Sequence, residues 1–336
     1  MRMLRFEFLG VLGVFMASTA LAHHSASVYD MTGAPVTLEG TLTKVDWANP
    51  HIYLTLETAG PNGQRVLQQV EAVSISLAQA TGLTREVLTL GSPVVIHAFP
   101  NRRGNGTVLG MDITTSDGNL YPLRGGRSSR PPIATVPATG LAGNWAPKPS
   151  EVLLMNTVRG WPLSDKARAA VAEVVSGRSQ LTLGCTPIPL PMVTMLAMLR
   201  TIDVRDDRVV MKIDSDGNDA TRTIYLDLAE HPANVEPSLF GHSIGRWDGD
   251  ALMIDTVAFT PHRMGIGFGV PSGSGKHLIE RLTLTADRLQ LRYELTVEDP
   301  EYLTAPATYT AMWDHRPDLS PGSACDPENS QRFRDE

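Results

Sequence analysis

Cysteine is scarce in this chain: Cys185 and Cys325 are the only two among 336 residues. Two thiols cannot complete a zinc site, which takes four ligands. They fit one disulfide in an oxidising compartment, with two free thiols as the alternative. Aromatic residues are also few, at 6%. Positive charge is outweighed, with 29 Lys and Arg against 36 Asp and Glu and a net charge of −7. No basic stripe is present to neutralise phosphates, so nucleic acid is not an expected partner. A phosphate loop, a C-x-x-C pair and a dinucleotide fingerprint are missing, and no serine is read as a nucleophile elbow. Nucleotide chemistry and serine-triad hydrolysis are therefore disfavoured.

Long apolar runs are missing too. The one candidate, Phe8 to Met16, follows Arg2 and Arg5 and leads to the small-residue site Ala20-Leu21-Ala22. Charged start, apolar middle and A-x-A ending describe a secretory signal peptide over residues 1–22. The run is too short to span a bilayer. Its removal takes away two Arg and one Glu, moving the net charge from −7 to −8. The expected product is periplasmic or secreted, with no transmembrane anchor. Length and composition, 42% hydrophobic and 19% charged, predict two ordinary globular domains.

Cleavage after Ala22 would place His23-His24-Ser25 at the new N-terminus. A free α-amino group and the imidazole of the same residue chelate metal, and a second imidazole makes a three-nitrogen set suited to Cu(II). A flexible polar terminus without a ligand is the alternative. Residues 23–123 then predict a small β-barrel. Val36–Val45, Ile52–Leu56, Arg65–Val73, Val94–Phe99 and Val108–Thr114 read as strands, and Ser74–Thr81 as one short helix. Three strands, a helix and two strands is the order of an OB-like barrel. The His-His-Ser start, Tyr29-Asp30 and Trp47-x-Asn49-Pro50-His51 resemble a bacterial family of small exported proteins catalogued as a domain of unknown function. The resemblance covers roughly residues 20–123. It implies fold and export without a reaction, and it adds His51 to His23 and His24 as the candidate copper ligands. The alternative for His51 is a strand-start residue bonded to local backbone.

Residues 124–140 form a Gly/Arg/Ser/Pro linker that can bury little apolar surface. Residues 141–336 open on Gly143-Asn144-Trp145, a Gly-x-Trp start that resembles the lipocalin and wider calycin pattern, and continue as antiparallel hairpins. The expectation is a mainly β protein whose second domain is a larger lipocalin-like barrel. Ser164–Val175 is a helical insertion, with Ser164 as its cap and Ala167, Ala170, Val171 and Val174 on one face. Met192, Met195 and Met198 can hold Cu(I) or simply pack. Asp214, Asp216 and Asp219 lie in a hairpin turn, and Gly265–Gly275 reads as a lid or a surface loop. Tyr225, His231, Gly241–Trp247, Glu280-Arg281, Tyr293-Glu294 and Glu298-Asp299-Pro300 together are similar to a set of exported bacterial proteins to which no reaction attaches. That set carries a late Cys, which supports pairing Cys185 with Cys325.

Strand parity selects the candidate site. A two-residue turn at Ala286-Asp287 puts Glu280 alone among the apolar residues of one face, opposite Tyr293. A carboxyl there needs a hydrogen bond, a proton or a partner, and is either a general acid–base or a structural brace. The Gly241–Phe259 hairpin puts His242 and Arg246 on one face with Asp255, and Trp247 on the other, with the inner face undecided. If the His242 face is interior, it joins Glu280; if exterior, Trp247 is the core residue. The leading expectation is an exported protein that binds a small apolar molecule, contacted by Arg246, Trp247, Tyr225 and Trp145. The alternatives are an isomerase or hydro-lyase acting through Glu280, Tyr293, His242 and Asp255, and a copper-binding protein.

Overall fold

The computed structural model describes residues 29–102, 104, 106–124, 136–147, 158, 160–175, 185–196 and 198–331. The expected signal peptide, His23, His24 and most of the expected linker lie outside the described residues.

Alternation of apolar and polar residues produces the first barrel. Its elements are β1 (Val36–Asp46), β2 (Tyr53–Ala59), β3 (Arg65–Glu71), α1 (Ile75–Ala80), β4 (Pro93–Pro100), β5 (Thr107–Thr114) and a short edge strand β6 (Leu120–Pro122). The sheet runs β3-β2-β1-β4-β5-β6, and a parallel pairing of β3 with β5 closes the first five strands. This is the predicted OB-like order, with β6 added. Leu42, Leu54, Leu56, Val70, Val94 and Ile96 point inward and are fully or almost fully buried. Strand β1 serves two neighbours, and Gly40 lies where they overlap, paired with Thr58 of β2 and Val94 of β4. A Cβ there would sit 2.5 Å from the Glu57 carbonyl oxygen, so only glycine fits the corner.

The second barrel uses nine strands: β7 (Gly143–Pro147), β8 (Arg200–Val204), β9 (Arg208–Ser215), β10 (Asn218–Tyr225), β11 (His242–Asp248), β12 (Ala251–Val257), β15 (His277–Leu284), β16 (Gln290–Glu298) and β17 (Ala307–His315). An odd ring cannot close with every neighbour antiparallel. One pair must be parallel, and it is β10 with β11. A parallel neighbour requires the chain to travel back the length of a strand before pairing. Residues 226–241 make that return along the outside of the barrel.

Between β12 and β15 the Gly-rich stretch forms a small hairpin, β13 (His262–Gly267) and β14 (Val270–Ser272). It is neither lid nor floppy loop, because Met264, Ile266 and Val270 are buried in the main core. The predicted helix appears as α2 (Asp165–Val175), with the Ser164 hydroxyl accepting from the Ala167 amide at 3.2 Å. Val174 lies against Gly269 of the small hairpin. Ile188, Leu190 and the short turn α3 (Met192–Met195) enter the core as a plug, and Met192, Met195 and Met198 are packing residues there. Buried Lys276 pins the plug to the hairpin, donating to Leu190 O at 2.5 Å and Gly265 O at 2.8 Å.

Cys185 and Cys325 form the expected disulfide, which ties the start of the plug to the C-terminal segment. That segment then docks on the first barrel. Asn49 is fully buried; its Nδ2 donates to Ser323 O at 2.8 Å and its Oδ1 accepts from the Ile75 amide at 3.1 Å. Asp326 N donates to Asn49 O, Cys325 N to Gly217 O, and Asn329 Nδ2 to His51 O. The Trp-x-Asn-Pro-His stretch is thus the seat of the C-terminal tail. Asn49→Ala would leave the Ile75 amide and the Ser323 carbonyl without partners. It should cost about 1–3 kcal/mol in urea unfolding followed by circular dichroism.

Candidate functional site

Inside the large barrel, Glu280 and Arg222 form a two-pronged ion pair at 3.1 and 2.8 Å, and both are essentially inaccessible to solvent. The Tyr293 hydroxyl donates to Glu280 Oε1 at 2.9 Å and meets the Thr194 hydroxyl of the plug at 3.0 Å. Burial, then the Glu280 charge, push the Tyr293 phenol well above its ordinary range. Tyr293 also stacks on Trp313, with centroids 4.6 Å apart, and Arg200 lies over the Trp313 ring at 4.3 Å. The predicted register is displaced by two residues. The connection is Ala286–Leu289, so Glu280 pairs across with Leu295 and Leu282 with Tyr293. A shift of two preserves the face, which is why Glu280 still points inward. Its carboxylate is closed in by Arg222, Tyr293 and the plug. Trp145 is equally interior, with its indole N–H donated to Leu141 O at 2.9 Å.

The outer face carries a second and more open arrangement. In the Gly241–Phe259 hairpin the turn is Gly249-Asp250, which sets Ile244 opposite Asp255 and His242 opposite Val257. Ser243, Gly245, Leu252, Ile254 and Thr256 face inward and are buried. His242, Ile244, Arg246, Met253 and Asp255 therefore face out, which decides the open question of this hairpin's inner face: His242 and Asp255 do not join Glu280 in one site. Trp247 has the inward parity, yet it lies near the strand end and is 45% exposed, so it is not the core residue expected. Gly241-His-Ser-Ile-Gly245 does match the letters G-x-S-x-G. Ser243 sits within a strand, buried and 2.9 Å from the Thr256 hydroxyl, so it is no nucleophile elbow.

On this face β15 lies beside β12, with Ile279 opposite Asp255. Its neighbour two residues back, His277, joins the same surface. The returning segment 226–241 lays His231 across it. A continuous chain results. His242 Nδ1 is 2.8 Å from His231 Nδ1, and His231 Nε2 is 2.9 Å from Asp255 Oδ1. Asp255 Oδ2 is 3.1 Å from His277 Nε2, and His277 Nδ1 is 3.0 Å from Glu298 Oε2. Tyr225 stacks on His242, with centroids 5.2 Å apart and planes 16° from parallel.

The charges follow from these contacts. Burial works against the His277 cation, but hydrogen bonds to Glu298 and Asp255 outweigh it and raise its pKa. Burial works against the Asp255 anion as well, and hydrogen bonds from His231 and His277 reverse the balance and lower its pKa. His242 is held below the ordinary imidazole range, first by burial and then by the neighbouring His231. Beside this chain opens a cleft of about 760 Å³. Leu226, Ile244, Met253 and Ile279 give it apolar walls; Arg246, Trp247, His231 and Asp255 give it polar or aromatic edges. Arg246 is exposed and makes no ion pair among the described residues. The returning strand neighbour could not be seen by periodicity, so His231, His277 and Glu298 were not among the predicted site residues. Parity alone does place His277 on the side of Ile279 and Arg281.

His51 lies on the first barrel. Its Nδ1 is 3.3 Å from Ala72 O and 3.8 Å from Glu71, whose side chain is fully buried. The Tyr29 hydroxyl donates to Glu71 Oε2 at 3.0 Å, and Glu71 Oε1 has no hydrogen-bond partner among the described residues. Among the described residues no group of three metal-ligating side chains converges.

Residues 12–111 are similar to a family of unknown function, DUF6152. The match ends within β5 of the first barrel, and no large-barrel residue falls within it. Among curated proteins none matches the chain. No helix among the described residues is long and apolar enough to cross a membrane.

Two outcomes check this electrostatic picture. Removing one partner of the buried pair, as in Glu280→Gln, should cost about 3–5 kcal/mol in urea unfolding, and Arg222→Met with Glu280→Leu should recover much of it. His277 has a raised folded pKa, so its contribution is fully present below about pH 6.5 and fades as pH climbs through the folded value. His277→Gln should therefore destabilise most on the acid side of neutrality and least at alkaline pH, measured by unfolding series at both.

Proposed function

We propose that this is an exported binding protein for small amphiphilic molecules, and that its ligand lies in the outer cleft rather than inside the large barrel. The observation that carries this reading is the exposed Ile279 together with Arg246, which makes no ion pair among the described residues, on the outward wall of the cleft, with Trp247 at its rim. Exposed apolar side chains gathered in a cleft with a few convergent polar groups favour a ligand with an apolar body and an anionic end. The barrel interior offers less. The Arg222–Glu280–Tyr293 network and the Ile188–Met195 plug occupy it, so a lipocalin-like mode with the ligand enclosed is the weaker form of the proposal. Export rests on the signal-peptide pattern and agrees with the disulfide.

A second reading, copper binding at the mature N-terminus, is favoured by one observation. Glu71 Oε1 is buried beside His51 without a hydrogen-bond partner among the described residues, and a buried acceptor in that state calls for a cation or a donor. His23 and His24 would supply the remaining nitrogens. A chain beginning at His23 should bind Cu(II) tightly in a competition titration, and one extra residue ahead of His23 should abolish it. Unchanged binding would refute this reading.

Anilinonaphthalene sulfonate, an apolar anion, tests the cleft. It should bind the folded protein with enhanced fluorescence, and Arg246→Ala should weaken binding about tenfold, the loss of one charge-assisted contact. Trp247→Ala should weaken it as well. Binding unaffected by either change would overturn the outer cleft as the site.

A further inference from the structure

The two walls of the outer cleft carry opposite charges that do not meet. On the sheet side stands Arg246 of β11, exposed and in no ion pair among the described residues. On the other side the returning segment presents Asp227 and Glu230, both exposed and both lining the cleft. Neither makes a hydrogen bond or an ion pair among the described residues. The cation whose field reaches Asp227, Arg208, is committed elsewhere, because its guanidinium donates to both carboxylate oxygens of Asp207. Asp255, the third carboxylate of the cleft, differs from these two: His231 occupies its Oδ1 and His277 its Oδ2.

The backbone explains the separation. The parallel register sets Ile224 beside Ser243 and Tyr225 beside Ile244. Extended by two residues, it would put Asp227 beside Arg246. Strand β10 ends at Tyr225 instead, and the cleft opens where the pairing would have continued. The acidic wall is nevertheless held in place. Among the described residues, 227–237 hydrogen-bond to the rest of the chain only through His231, whose Nδ1 meets His242 at 2.8 Å and whose Nε2 meets Asp255 at 2.9 Å. That ring clasps the segment to β11 and β12, one residue after Glu230. Ile244, Met253 and Ile279 supply apolar surface to the same cleft.

We propose that the ligand of the outer cleft has a zwitterionic head, its ammonium group held by Asp227 and Glu230 and its acidic group by Arg246, with an apolar tail on Ile244, Met253 and Ile279. The proposal rests on the binding reading above and adds the second charge of the head. A purely anionic amphiphile would bring its charge toward two unpaired carboxylates, and a purely cationic one toward an unpaired guanidinium. Each leaves one wall unmatched and meets a like charge on the other. A head of both signs matches both walls, and the tail separates this ligand class from small polar zwitterions.

Three ten-carbon probes test the head group. α-Aminodecanoate carries both charges, decanoate the acid alone and decylamine the ammonium alone. Each is titrated against the full mature chain by displacement of anilinonaphthalene sulfonate, at neutral pH and low salt, where exposed charges are least screened. The added ammonium makes α-aminodecanoate more polar than decanoate, so a merely apolar cleft would bind it more weakly. Wild type should instead bind it about fivefold more tightly, the upper range for an exposed ion pair. Asp227→Asn combined with Glu230→Gln keeps side-chain shape at two exposed positions. It should reverse that order while decanoate binds at least as tightly as before. Arg246→Ala should weaken both acids without weakening decylamine. With anilinonaphthalene sulfonate bound, α-aminodecanoate no tighter than decanoate in wild type, or an advantage that survives the double substitution, overturns the proposal. Failure of wild type to bind anilinonaphthalene sulfonate overturns instead the binding reading on which it rests.

Discussion

A ring of nine strands imposes one parallel neighbour on an otherwise antiparallel barrel, and the location of that neighbour organises the outer surface. Because β10 and β11 run in the same direction, residues 226–241 must return along the outside before β11 begins. That return brings Leu226 to the cleft wall and sets His231 between His242 and Asp255. An eight-strand ring joined by hairpins alone would have no such segment, and the two outward strand histidines, His242 and His277, would lack the link that His231 makes through Asp255. The cleft is therefore a consequence of closure, in the sense that the crossover supplies one wall and the strands β11, β12 and β15 supply the other.

The interior answers to a different requirement. Arg222 and Glu280 are buried charges, and each would be costly alone. Their two-pronged pairing, with the Tyr293 hydroxyl on the same carboxylate and Thr194 behind it, satisfies the group while locking the plug to the strands. The disulfide then holds the start of the plug to the C-terminal segment, and Asn49 holds that segment to the first barrel. A polar side chain in a strand-break motif thus bears on how the two barrels meet. Motifs of this kind invite a catalytic interpretation when read alone, and here Asn49 is satisfied by backbone on both ends of its amide.

Much of the β architecture was legible in residue patterns. Period-two alternation located the strands of the first barrel, and the single helix between the third and fourth distinguished its order. Glu280 was legible as an inward carboxyl because parity survives a register shift of two, even though the turn at Ala286–Leu289 is longer than predicted. Its partner was not legible, since Arg222 lies on β10, several strands away around the ring. The Gly-rich stretch misled for a physical reason. Glycines at 265, 267 and 269 permit close packing against Ser272, Val158 and Val174 rather than motion, and composition alone cannot separate those uses.

The sequence by itself determined which side chains alternate, that hairpins recur along the chain, that two cysteines could make one bridge, and that no phosphate or nucleotide motif is present. Those properties are local, or depend on neighbours within a hairpin. Only the tertiary structure decided that the His242 face is exterior, because both faces of that hairpin carry apolar residues and the choice depends on strands far along the chain. It also decided that His231, His277 and Glu298 complete a chain with Asp255, since closure of the ring brings together four elements that no short-range pattern connects.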